Sequence, residues 1–195
     1  LDAGAMTPSM FCFRGRERIQ GLFESVSGAR MMHNYFRIGG LKEDVPDDFV
    51  AQVREVLELV KKDTEESDKL LSFNEIFLAR LKNIAVMSAE DAIDYGLTGP
   101  CLRASGVDYD VRKAAPYSVY DRFDFDVPIG LDGDCWDRYY LRVQEVYQSI
   151  RIVEQALDKL PDGEVTSSLG RRLLRPPAGE VYVRGENPRG EIGVY

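Results

Sequence analysis

Residues 134–160 read DCWDRYYLRVQEVYQSIRIVEQALDKL, and this stretch decides the fold class. Trp136, Tyr140, Val143, Tyr147, Ile150, Leu157 and Leu160 stand three, four or seven apart, the recurrence of one face of an α-helix. Pro161 ends the run. At 1.5 Å per residue it predicts a rod of roughly 40 Å, the length of a helical body's spine.

Working outward, the chain after this rod is polar and proline-bearing over 162–178. It then alternates through EVYVR (180–184) and EIGVY (191–195), joined by Asn187-Pro188-Arg189-Gly190, as a β-hairpin does. Before the rod, 97–133 holds several Gly and Pro residues and reads as loop. Ser88 with Asp91 resembles the capping box of a short helix ending before Gly96. Pro46-Asp47-Asp48 opens a helix with Val50, Val53, Leu57 and Val60 on one face. Leu70, Phe73, Phe77 and Leu81 give a second apolar face, predicting two antiparallel helices or one helix broken near Glu66. Residues 31–40, MMHNYFRIGG, read as extended chain entering a turn. Ile19, Leu22, Phe23 and Val26 predict a helix stopped by Gly28, with Thr7-Pro8 as a break before it. The fold class is α+β, mostly α-helical: a helical body over 1–161, then a linker and small β-hairpin over 162–195.

The composition narrows function mainly by exclusion. The formal charge is −8, which would repel a phosphate backbone, so nucleic acid is not an expected partner. No apolar run approaches the ~20 residues that span a bilayer, so membrane contact is expected only through partner subunits. Cys12, Cys101 and Cys135 stand far apart, offer neither a disulfide framework nor metal-ligand spacing, and read as buried small hydrophobes. The lone histidine, His33, reads as structural or surface, with a proton-relay or interface role as the alternative. Phosphate-binding and dinucleotide-binding glycine patterns are missing, so the chain supplies no complete active site. Asp108, Asp110, Asp121, Asp124, Asp126, Asp132, Asp134 and Asp137 read as solvated loop residues and helix caps. Arg103, Arg112, Arg122 and Arg138 lie among them and predict some buried or half-buried ion pairs.

The segments LDAGAMTP (1–8), FRGRE (13–17), GARMMHNYFRIGG (28–40), GLTGPCLRASGVDYDVRKAAPY (96–117), YDRFDFDVPIGLDGDCWDRYYLRVQE (120–145), QSIRIVEQAL (148–157) and PRGEIGVY (188–195) stand in that order. Together they closely resemble the central section of the quinone-site large subunit of complex I-type NADH:quinone oxidoreductase. That family is related to the large subunit of [NiFe] hydrogenases. The resemblance implies a mostly helical body with a small β part, docked on an iron–sulfur small subunit and other peripheral-arm subunits. It implies quinone as substrate, with the iron–sulfur cluster and NADH carried by partner subunits and no cofactor bound by this chain. It places the protein on the cytoplasmic side of the inner or plasma membrane, as a peripheral part of a proton-pumping translocase.

Residue by residue, Asp2 matches the family aspartate that hydrogen-bonds the histidine at the quinone headgroup. A carboxylate accepting from an imidazole fixes its tautomer and raises its proton affinity. Phe13 matches an aromatic lining the quinone cavity. The family's headgroup histidine and tyrosine fall upstream of Leu1, so the chain is expected to be a piece of a longer protein and inactive alone. Where the family usually carries two aromatics after Thr-Pro, this chain has Ser9 and Met10. Many relatives also carry a longer insert across 162–178. The resemblance to hydrogenases implies no nickel, since Cys-x-x-Cys pairs are missing. Two other readings stand beside this one: part of a related hydrogenase-like or deazaflavin-type quinone reductase, and an acidic helical interaction domain without redox role.

Overall fold

A computed structural model describes residues 3–167 and 177–195. Seven α-helices carry the described chain: α1 (Met6–Ser27), α2 (Phe49–Leu71), α3 (Glu75–Leu81), α4 (Ala89–Asp94), α5 (Gly99–Ala104), α6 (Val111–Ala114) and α7 (Cys135–Asp158). Two antiparallel hairpins complete it: β1 (Phe36–Arg37) with β2 (Gly40–Leu41), and β3 (Val183–Asn187) with β4 (Gly190–Val194). The α+β, mostly helical class follows. Among the described residues no helix is long and apolar enough to cross a membrane.

Thr7-Pro8 is not a break. Both lie in the first turn of α1, where backbone N–H groups have no intrahelical acceptor and proline costs nothing. Gly28 ends α1 as expected, at φ +76°, and its N–H closes on the carbonyl of Glu24. Helix α2 runs unbroken through Glu66. The turn comes after Leu71, because Asn74 takes the backbone N–H groups of Ile76 and Phe77 and starts α3. Ser88 caps α4 by accepting from the N–H of Asp91.

The region 97–133 is less loop-like than its glycines and prolines suggest. It contains α5, α6 and a 3₁₀ turn at Tyr120–Arg122. Helix α5 packs on α7, and the core gathers there, with Leu102, Ala104, Val111, Phe125, Leu141, Ile150 and Ile152 buried. This alters the expected face of the long helix. Leu160 is exposed beyond the helix end, while Leu141 and Ile152, off the predicted stripe, are buried because α7 is covered on more than one side. Asp134 caps α7 through the N–H of Asp137, and the helix ends at Asp158, ahead of Pro161.

One further expectation fails: Cys12 is exposed, and Cys101 and Cys135 are half-buried, so none is a core hydrophobe. Asp110 and Asp134 are helix caps as expected, of α6 and α7, but these two and Asp137 are buried rather than solvated, each accepting backbone N–H groups that the local chain turns toward it. Most of the expected linker lies outside the described residues. Its described part adds to β1–β2: Leu41 N–H donates to Val165 O (2.9 Å), and Ser167 N–H donates to Gly39 O (2.7 Å).

Candidate functional site

Helices α1 and α2 pair side by side, and α2 also packs on α7. Between α1 and α7 lies a cleft of about 760 Å³. Its α1 wall is Pro8, Phe11, Cys12, Ile19 and Phe23, and its α7 wall is Tyr139, Val143 and Val146. Gly15 is buried where α1 faces α2, and a Cβ there would stand in ordinary contact with Val60, at 3.5 Å. Beside it Arg14 donates through Nε (3.1 Å) and Nη2 to the carboxylate of Asp63, a buried group on α2. An apolar slot held open by an ion-paired helix hairpin suits a flat, mostly apolar ligand or an apolar segment of a partner.

At one end of the cleft the chain 30–41 projects outward. Met32 is 92% exposed and Phe36 86% exposed, with Met31 and Ile38 also solvent-facing. Met32 and Asn34 hold positive φ, +56° and +46°, a left-handed conformation that is uncommon for non-glycine residues other than Asn and Asp. His33 anchors the segment. Its ring lies 4.6 Å from that of Phe23, and Nδ1 is 3.0 Å from the carbonyl of Ala29. A carbonyl only accepts, so Nδ1 carries the hydrogen of this bond.

Of the two candidate site residues, only Phe13 falls among the described residues. Asp2 lies outside them. Its neighbours Ala3 and Ala5 line the cleft, and Arg80 donates to the carbonyl of Ala3, which ties that end to α3. Phe13 is 53% exposed on α1 and is not among the residues that line the cleft, although Ser9, Arg16 and Gln20, on the same stripe of the helix, are. Ser9 lines the cleft, and Met10 is exposed.

Residues 2–174 match the family described as respiratory-chain NADH dehydrogenase, 49 Kd subunit. The chain belongs to that family. It is 46% identical over 194 residues to the NADH-quinone oxidoreductase D subunit of Desulforamulus reducens. It is also 48% identical over 196 residues to the D subunit of Bacillus mycoides, and 48% over 202 residues to a D subunit of a Roseiflexus species. These similarities take in 100% of the chain and 53–54% of each relative, so the chain spans about half the length of the curated relatives it matches.

In this 49 Kd-family chain a second feature, only outlined by the sequence, adjoins the cleft through a neighbouring cavity that shares Ile19, Phe23, Val60, Arg142 and Val146 with it. Arg103, on α5, is 1% exposed and joins three elements. It donates through Nε (3.2 Å) and Nη2 to Glu145 on α7, through Nη2 to Glu186 on β3 (3.1 Å), and through Nη1 to the carbonyl of Tyr109 (3.0 Å). Arg112 grips Asp110 at 2.6 Å. Burial pushes the Asp110 carboxyl up, but the Arg112 guanidinium and backbone N–H outweigh it and hold the group below its ordinary value. The arginines among aspartates signalled these pairs. Glu145 and Glu186, 42 and 83 residues from Arg103, carried no such local signal.

Proposed function

We propose that this chain serves as part of the quinone-site subunit of an NADH:quinone oxidoreductase, forming one edge of the quinone-reduction site and the contact with the iron–sulfur subunit. The observation that carries the reading is the family match over residues 2–174, supported by 46–48% identity to NADH-quinone oxidoreductase relatives along the whole chain. In this reading Asp2 accepts a hydrogen bond from the histidine at the headgroup and keeps it protonated for delivery to reduced quinone. Phe13 contributes aromatic wall once the cavity is completed by other parts of the assembly. The iron–sulfur cluster and the NADH site sit on partner subunits. The apolar projection at Met31, Met32, Phe36 and Ile38, flanked by Arg30 and Arg37, is the kind of surface that docks on another subunit. Membrane contact comes through partners, on the cytoplasmic side, and quinone reduction is coupled to proton pumping by the assembly.

The test uses the assembled enzyme. Asp2→Asn is expected to lower NADH:quinone turnover at least about tenfold while leaving NADH oxidation by a soluble artificial acceptor unchanged, since that acceptor takes electrons upstream. Phe36→Asp is expected to cut co-purification with the iron–sulfur subunit. Unchanged quinone turnover in the first variant, or full co-purification in the second, refutes the corresponding role.

A further inference from the structure

The hairpin β3–β4 lies on the helical body through an unusual set of charges. Glu186 and Glu191 are directly opposite each other across the two strands, so their side chains leave on the same face. Like charges in that position repel. Around them stand Asp110 from the chain ahead of α6 and Glu145 from α7. The guanidiniums paired with these groups are Arg103, Arg112 and Arg184. Four carboxylates thus share three ion-paired arginines, which leaves one negative charge over, and Arg103, Asp110 and Glu186 are the most buried of the seven. Arg142 and Arg189 line the adjoining cavity without an ion pair to the cluster among the described residues. The other titratable groups facing Glu186 are phenols. Tyr117 Oη accepts from the Glu186 N–H (3.1 Å), Tyr109 Oη donates to Glu191 (2.7 Å), and Tyr120 lines the cavity.

The cavity supplies a route. About 830 Å³ lies between the α1–α2 pair and α7, and Arg103, Arg112, Glu145 and Glu186 all open onto it. The turn of the hairpin is fixed at the other side. The Glu191 N–H donates to Thr98 Oγ1 (2.9 Å), and Gly190 packs on Gly99 so closely that a Cβ on either would overlap backbone.

We propose that the Arg103 cluster is a proton-binding site, in which Glu186 takes up one proton from water when the hairpin docks on the helical body. Protonation turns a carboxylate into a neutral carboxylic acid, so the four acids and three arginines balance. Among the acids Glu186 is the one to take it. Asp110 is held ionised by two-point contact with Arg112. Glu145 takes both the Nε and Nη2 bonds of Arg103, whereas Glu186 has only the single one. The direction of its titration agrees: burial pushes Glu186 up, the nearby Asp110 charge adds to this, and Arg103 and Arg112 only partly oppose it. A group whose proton affinity is raised on docking favours the docked state below its titration. The favour is lost as pH rises through the docked-state value. The hairpin is therefore held more tightly at mildly acidic pH than at alkaline pH.

The experiment is a pH titration of the 195-residue chain, following the glutamate side-chain carboxyl carbons by NMR with through-bond assignment. Glu186 is expected to titrate above the ordinary glutamate value of 4.5. Glu191→Gln is expected to lower that midpoint, because the opposing charge is gone. Exchange protection of the Glu191 N–H is expected to fall as pH rises through the midpoint in the parent chain, after correction for intrinsic base catalysis, and to stay level in Glu186→Gln. A Glu186 midpoint at or below 4.5, or one unmoved by Glu191→Gln, overturns the proposal. So does protection with the same pH dependence in the parent and Glu186→Gln.

Discussion

Replacing Arg103 with Met keeps the aliphatic stem and removes the charge at the centre of the buried cluster. Its guanidinium is the contact of Glu145 and Glu186 with positive charge within the core, and it satisfies the Tyr109 carbonyl. Breaking a buried ion pair by deleting one partner costs about 3–5 kcal/mol, because the remaining charge stays desolvated. Two features place this case toward the lower end. Asp110 keeps its contact with Arg112, and Glu145 is 19% exposed, so water can reach it. The expectation is a loss of about 3–4 kcal/mol, a large share of the roughly 5–15 kcal/mol that holds a typical domain folded. For a chain of this size that lowers Tm by roughly 6–16 °C. Urea denaturation followed by fluorescence of Trp136, the single tryptophan, measures it. Adding Glu145→Gln to Arg103→Met should recover part of the loss, since the carboxylate that held both the Nε and Nη2 bonds is removed along with its partner. A loss below about 1 kcal/mol, or a double variant no more stable than the single one, would refute the claim that this arginine acts through buried charge.

Gly190→Ala places a Cβ against Thr98 at φ +132° and is expected to release the hairpin at a cost of about 2 kcal/mol or more, seen as lost Glu191 amide protection with helical circular dichroism intact. Trp136→Phe removes the bond from Nε1 to the Ser72 carbonyl (2.8 Å) and weakens the stack on Tyr140, for an expected loss of about 1–3 kcal/mol in chemical denaturation. At low pH the sign reverses from that of Glu186. Burial pushes the Asp134 carboxyl up, but the N–H groups of Asp137 and Asn83 and the Lys82 charge outweigh it and hold it below 3.8. The stability it contributes is present above that value and lost as pH falls through the folded-state one, so Asp134→Asn should flatten the acid limb of a Tm–pH curve. An unchanged acid limb would count against the capping carboxylate as the acid-sensitive group.

Much of the helical body was legible because its signals are local. The spacing from Trp136 to Ile150, the Ser88 and Asp91 pair, and Gly28 after Val26 each act within a few residues, and each stands in the structure as read. The misplaced break near Glu66 has a physical reason. A charged stretch is as compatible with a solvated helix face as with a loop, and α2 uses it to present Asp63 to Arg14. Of the candidate site residues, Phe13 came from family resemblance rather than from any spacing, and the structure places it on the surface of α1. Asp2 lies outside the described residues.

Family, fold class and most element identities were determined by the sequence alone, through motif order and short-range periodicity. The tertiary structure decided which charges are buried together. Arg103, Glu145 and Glu186 meet because α5 packs on α7 while Gly99 and Gly190 let the hairpin turn come down on α5. That closeness follows from backbones that touch where no side chain intervenes. A linear sequence carries no record of it, because the ion pairs join residues 42 and 83 positions apart.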